Sequence, residues 1–249
     1  MISAVILVKN EEKNIVDCIK GLRWCGEILV VDDNSTDKTV ELAKKNGARV
    51  ITHSLENDFS RQRNFGLLEA KGEWVFFVDA DERVSESLAF EITNRIKESP
   101  SEHYDGFFIR RIDNMWGKKL LHGETGNIKL LRLVKKTSGK WEGQVHEVWK
   151  TKGVLGELKN PISHYPHQTI TEFLEEINFY TDIRAKELHK KGIKAHWWSV
   201  IVYPKAKFFL NYIIKMGFLD GIPGLVFAIL MSFHSFLVRG KLWQLWQKK

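Results

Sequence analysis

The chain has only two cysteines in 249 residues, Cys18 and Cys25. They form no metal-ligand pattern, and seven residues apart on a helix they lie near one face, as reduced thiols of a cytosolic protein. The opening Met1-Ile2-Ser3-Ala4-Val5-Ile6-Leu7-Val8 lacks a basic segment and a small-residue cleavage site, so it reads as a first strand rather than a signal peptide. No Gly-rich phosphate loop is present, which argues against nucleotidyl transfer. Basic charge is also scarce over most of the chain. Residues 1–184 carry 27 Lys/Arg against 29 Asp/Glu, whereas residues 185–249 carry 11 against 2, so the net charge of +7 comes from the tail. That distribution excludes a nucleic-acid footprint over the whole fold and points the tail toward an anionic surface.

With 43% hydrophobic and 28% charged residues, the chain can bury a full core. Its first half alternates strand and helix signals. Strands are expected at residues 2–8, 28–31, 49–52 and 74–78. Between them run a helix carrying Ile15, Ile19 and Leu22 with Asn10 as N-cap, one capped by Ser35 or Thr36, and one from about Ser60 to Ala70. Repeated strand–helix–strand units imply a parallel sheet with right-handed crossovers. Beyond residue 100 the helices give way to strands and glycine turns. A helix then starts at Thr169, where Glu172 completes a capping box, and ends near Lys191-Gly192 with Phe173, Ile177 and Tyr180 inward. The expected organisation is a domain over residues 1–190, divided at about residue 100, and a basic, aromatic-rich helical extension over 191–249.

The most informative run is Phe76-Phe77-Val78-Asp79-Ala80-Asp81-Glu82. An apolar strand, read as buried on both faces, ends in three carboxylates, where open α/β sheets bind ligands. Like charges so close call for a cation, and a hard dication held by one or two carboxylates keeps positions for water and substrate phosphates. The plainer reading is an acidic turn that caps the next helix through Ser85.

Val30-Val31-Asp32-Asp33-Asn34-Ser35-Thr36-Asp37 and Val78-Asp79-Ala80-Asp81-Glu82 together resemble the family 2 glycosyltransferases, as do Arg63-Asn64-Phe65-Gly66 and the Lys9-Asn10-Glu11-Glu12 loop. The resemblance implies a GT-A fold, a Rossmann-like, mainly parallel mixed sheet with helices on both faces. It also implies a nucleotide-sugar donor contacted by Val8, Asn10, Glu12, Asp32, Asp33, Arg63, Asp79 and Ala80. Asp33 would take the uracil or ribose, with Asn34 and Asp37 left to turn and cap duties, and Arg63 the nucleotide or diphosphate. Mg²⁺ or Mn²⁺ would sit on Asp79, Asp81 and His164. Inverting transfer needs a base. The acidic pair many members carry for it is missing; Trp141-Glu142-Gly143-Gln144-Val145-His146-Glu147 stands there instead. That string, with Ile162-Ser163-His164-Tyr165, resembles the lipopolysaccharide core β-1,4-glucosyltransferases. It implies Glu147 as the base, His146 orienting it and Glu142 as the fallback.

The resemblance makes the chain a hexosyltransferase, moving glucose from UDP-glucose to a membrane-associated saccharide. Transfer to a polyprenyl phosphate or to a peptide side chain stays open. Residues 222–238 form an apolar run flanked by Lys205, Lys207, Lys215, Arg239 and Lys241, with Trp243 and Trp246 beyond. It spans a bilayer, lies in its interface, or packs on the catalytic domain or a dimer partner. A lipid-linked acceptor places the enzyme on the cytoplasmic face of the inner membrane, drawn to anionic lipid.

Overall fold

A computed structural model describes residues 1–56, 58–97, 104–143 and 147–247. His146 lies outside the described residues. The chain divides into two compact units, residues 1–111 with 129–164, and residues 112–128 with 165–249.

In the first unit, β1 (Ile2–Val8), β2 (Glu27–Asp32), β3 (Arg49–Thr52) and β4 (Trp74–Asp79) alternate with α1 (Ile15–Lys20), α2 (Thr39–Lys45) and α3 (Phe59–Glu69). β5 (Glu82–Arg83), α4 (Glu86–Lys97) and the start of β6 (Gly106–Met115) follow; the end of β6 and β7 (Lys118–Leu120) belong to the second unit, and the first resumes with β8 (Ile128–Lys135), β9 (Gly139–Glu142), β10 (Val148–Thr151), β11 (Leu155–Glu157) and β12 (Ile162–His164). The sheet order is β3-β2-β1-β4-β8-β6-β12-β5. β1 pairs in parallel with β2 and β4, and β2 with β3, whereas β8 joins β4 antiparallel. The mixed, mainly parallel sheet is the one the GT-A resemblance implies.

Alternation along the strands sends side chains to two cores. Ala4, Ile6, Val30, Phe76 and Val78 pack with Ile15 and Ile19 of α1 and Leu88 and Ile92 of α4. Val5, Leu29, Val31, Val75 and Phe77 pack on the opposite face with Leu67, Trp141 and Trp149. Both faces of β4 are thus covered, which is why its sequence is a continuous apolar run.

Three helix details differ from the sequence expectation. α1 starts after Asn14, because Asn10 takes a left-handed φ of 56° and bonds elsewhere. α1 also ends at Lys20, so Cys25 lies beyond the helix that carries Cys18. α2 starts at Thr39, where the Asp37 carboxylate accepts from the Thr39 N–H at 3.0 Å; Ser35 and Thr36 are used by the first loop.

In the second unit, α5 (Ile170–Lys190) has the expected Thr169–Glu172 capping box. Phe173 and Ile177 face inward, but Tyr180 is exposed; Thr181, Ala185 and Leu188 continue the buried stripe instead, at helical spacing. α6 (Trp197–Phe209) runs into a π-helical turn, Leu210–Ile214, and then a 3₁₀ turn, Gly217–Asp220, before α7 (Gly221–Gln247). Phe173 and Ile177 pack with Phe227 and Leu230 of α7, and Ala185 and Leu188 with Val238 and Leu242. Gly217–Gln247 is long and apolar enough to cross a membrane by length and composition.

Candidate functional site

The carboxyl ends of β1, β2 and β4 bring most of the sequence-derived residues together in the first unit. The loops after β1 and β2 clamp each other. Val8 O accepts from the Asp33 N–H at 2.8 Å, and the Asn10 Oδ1 accepts from the Thr36 N–H at 2.8 Å. Asn10 N–H donates to Ser35 Oγ at 2.9 Å, and Glu12 Oε2 accepts from the Lys38 N–H at 3.1 Å. Asn10 and Glu12 thereby hold the shape of the loop.

Asp32 is buried and accepts from the Ser35 N–H three residues on, so it takes the turn-holding duty expected of Asn34. Asn34 donates to Ser54 Oγ at 2.8 Å instead. Asp33 accepts from the Leu55 N–H at 2.8 Å and pairs with Lys9 Nζ at 2.9 Å. Burial pushes its carboxyl up, but these bonds outweigh burial and leave it below its ordinary range.

The Arg63-Asn64-Phe65-Gly66 segment lies on α3, and each polar or small position has a visible task. Asn64 clamps β9: its Nδ2 donates to Trp141 O at 2.8 Å and its Oδ1 accepts from the Trp141 N–H at 2.9 Å. A Cβ at Gly66 would lie 2.7 Å from Val5 Cγ1, so glycine lets α3 approach β1. Arg63 stacks over Trp141, its guanidinium carbon 5.2 Å from the ring centre. Its Nε donates to Glu147 Oε1 at 2.7 Å, and its Nη2 lies 3.7 Å from Asp79 Oδ1. One arginine therefore joins the expected base to the acidic strand end. Glu142, the fallback base, is exposed and pairs with Lys140 at 3.1 Å.

At the end of β4 the three carboxylates have separate fates. Asp79 and Glu82 both bind Arg132, a residue of β8 that the sequence reading passed over. Arg132 Nη1 donates to Asp79 Oδ1 at 3.3 Å, Nη2 bonds Asp79 Oδ2, and Nη2 reaches Glu82 Oε1 at 2.5 Å. Glu82 is fully buried and its Oε2 accepts from the Asp79 N–H at 3.0 Å. Burial pushes the Asp79 carboxyl up, yet Arg132 and Arg63 hold it well below the carboxylate range. Burial, together with the charge of Asp79, raises Glu82. One signal was legible: a single arginine inside the otherwise apolar Leu130-Leu131-Arg132-Leu133-Val134 is a buried charge in need of partners. Ala80 O accepts from Arg83 at 2.8 Å, and Ser85 caps α4 by accepting from the Leu88 N–H at 3.2 Å.

Asp81 faces the last strand, with its Oδ2 3.0 Å from His164 Nε2. At that distance the carboxylate and the imidazole pair with each other. No group of three or more His, Cys, Asp or Glu that could hold a metal ion gathers among the described residues.

The glycosyl transferase family 2 model matches residues 3–150. An uncharacterized glycosyltransferase of Rickettsia typhi is 28% identical over 98% of this chain and 87% of its own length. The lipopolysaccharide core biosynthesis glycosyltransferase LpsC of Rhizobium meliloti is 25% identical over 98% of this chain and 92% of its own. The crystal structure of S. aureus TarS 1–349 superposes with a TM-score of 0.48 at 17% identity, covering 100% of this chain and 92% of that one. With the family match spanning more than half of its length, the chain belongs to glycosyl transferase family 2 and is a glycosyltransferase.

Proposed function

We propose that the enzyme moves a hexose, glucose from UDP-glucose, with inversion onto a membrane-associated saccharide such as a lipopolysaccharide or lipooligosaccharide core. The observation that carries this reading is the meeting of Asp81 with His164 at the end of β4, beside an acidic residue that Arg63 links to Glu147. Glucose and a core acceptor are supported by the resemblance of the Trp141–Glu147 string to the core β-1,4-glucosyltransferases and by the relationship to LpsC.

Asp81 and His164 are assigned to hold Mg²⁺ or Mn²⁺, which when bound supplies Lewis acidity toward the departing diphosphate. Asp33 and Asp32 stand at the nucleoside end of the donor seat. Val8, Asn10 and Glu12 shape it through the loop clamp, and Arg63, Asp79 and Ala80 lie at the diphosphate end. Glu147 takes the proton of the acceptor hydroxyl, while Arg63 keeps its carboxylate aimed. A screen of sugar nucleotides, scored by release of nucleoside diphosphate with and without EDTA, tests donor and metal together. UDP-glucose with Mn²⁺ is expected to lead; equal release in EDTA overturns the metal assignment.

The second unit is assigned to the cytoplasmic membrane surface, with α7 in the plane of the interface. Ile222, Ile229, Phe233, Phe236, Trp243 and Trp246 expose one apolar stripe of α7. The opposite face packs on α5, and Lys241 bonds Asn178 and Thr181 and pairs with Asp182 at 2.9 Å. A spanning α7 would carry the exposed Glu175, Asp182, Arg184 and Lys186 of α5 into hydrocarbon, at high cost. A second catalytic reading follows from the commitment of Glu147 to Arg63: an acceptor that is already anionic, a polyprenyl phosphate, needs no base. Glu147→Gln separates the two.

A further inference from the structure

We propose that the bend between α6 and α7, residues 209–219, is the element of the second unit that enters an anionic lipid leaflet. The inference rests on the assignment of that unit to the membrane surface, and it names the segment that makes the contact.

Phe209, Ile213, Ile214, Met216, Phe218 and Leu219 gather on this bend, each between 42% and 58% exposed. The exposed stripe of α7 begins three residues later, at Ile222, so the two apolar surfaces are continuous along the chain. A contiguous apolar patch with a polar rim marks a partner or a membrane. The backbone here is shaped for display rather than burial. α6 passes into the π-helical turn, and Met216 keeps a left-handed φ of 56° although its side chain is 53% exposed.

The charges around the bend are sorted by sign. Asp220, the acid at its end, is turned inward: its side chain is 4% exposed and pairs with His122 Nδ1 at 2.8 Å. It also accepts from the Leu121 N–H at 3.1 Å and the His122 N–H at 2.9 Å. The Gly123 N–H donates to Lys215 O at 2.8 Å, and Glu124 is taken by Lys207 at 2.6 Å. The loop over residues 121–124 thus braces the bend and absorbs its negative charge. Cations are left outside. Lys205 and Lys215 are exposed, as is Lys118, whose Nζ lies 3.4 Å from a Cβ built on Gly221. None of the three pairs with a carboxylate among the described residues. Apolar side chains set among unpaired lysines match acyl chains beneath anionic headgroups. A second copy of the chain would set the same lysines against one another across a two-fold axis, which favours lipid as the occupant.

Flotation of the full chain tests this, with vesicles of phosphatidylcholine alone or mixed in equal parts with phosphatidylglycerol. Folding of each variant is checked by thermal unfolding. I214S/L219S removes apolar surface from the bend, K118Q/K215Q removes its charge, and I229S/F236S alters the α7 stripe alone. Partition of I214S/L219S onto the mixed vesicles is expected to fall at least tenfold. K118Q/K215Q, which touches only exposed side chains, is expected to lose threefold or more on the mixed vesicles and nothing on phosphatidylcholine. Wild-type partition of both bend variants, with I229S/F236S released, overturns the proposal and leaves the membrane reading of α7 standing. A wild-type chain that floats with neither vesicle overturns the membrane assignment, and this inference with it. A dimer that I214S/L219S dissociates, without vesicle binding, gives the bend to a second copy and likewise overturns the proposal.

Discussion

Replacing Glu147 by Gln removes one proton acceptor while leaving nearly everything else in place. The Gln carbonyl still accepts from Arg63 Nε, now 2.7 Å from Glu147 Oε1, and the amide is almost isosteric. Arg63 and Glu147 side chains are 12% and 15% exposed, so loss of the charge from this pair costs about 1 kcal/mol of stability. In a chain of this size that lowers Tm by about 2–4 °C. Catalysis responds far more. A positioned general base contributes about 10²–10⁴-fold, which is about 3–5 kcal/mol of barrier. Steady-state release of nucleoside diphosphate at saturating acceptor should therefore show kcat down by at least a hundredfold with donor KM nearly unchanged. A folded variant with kcat within threefold of wild type would refute the base assignment and favour the phosphate acceptor.

Asn64→Ala should lower stability by about 2–3 kcal/mol, since it strands the Trp141 N–H and C=O; an unchanged urea midpoint would show that the clamp is dispensable. Native Cys18 and Cys25 should resist alkylation up to pH 9, because burial pushes both thiols up, Cys25 to about 12, while unfolded thiols titrate near about 8.5. The folded state then binds more protons above that pH, so stability is full below it and declines as pH rises; rapid labelling of the native protein at pH 8 would contradict this. The full chain should float with anionic vesicles and be released by alkaline carbonate. Resistance to carbonate would indicate a spanning α7, and dimerisation without vesicle binding would assign the stripe to a second copy.

Much of the catalytic unit was legible because its signals are local. The run Trp74–Val78 needed only its own composition to be read as a strand covered on both faces, and the Thr169–Glu172 box needed only its spacing. The pairing of Asp81 with His164 was reachable only through motif resemblance, since 83 residues separate them. Details set by distant partners were missed. Asn10 looked like a helix cap, but its left-handed backbone turns it toward the second loop. The start of α2 moved because Ser35 and Thr36 were already bonded across that loop. Tyr180 satisfied the apolar pattern yet sits one position off the buried stripe that Thr181 completes. Arg132 was legible as an anomaly in an apolar strand, but its partners come from the far end of β4.

The most direct measurement is an anomalous difference map from crystals soaked with MnCl₂ and UDP-glucose. A peak between Asp81 and His164, with diphosphate oxygens completing its shell and Asp79 still on Arg132, is the predicted result. A metal seated elsewhere, or nucleotide bound with that position empty, would contradict it.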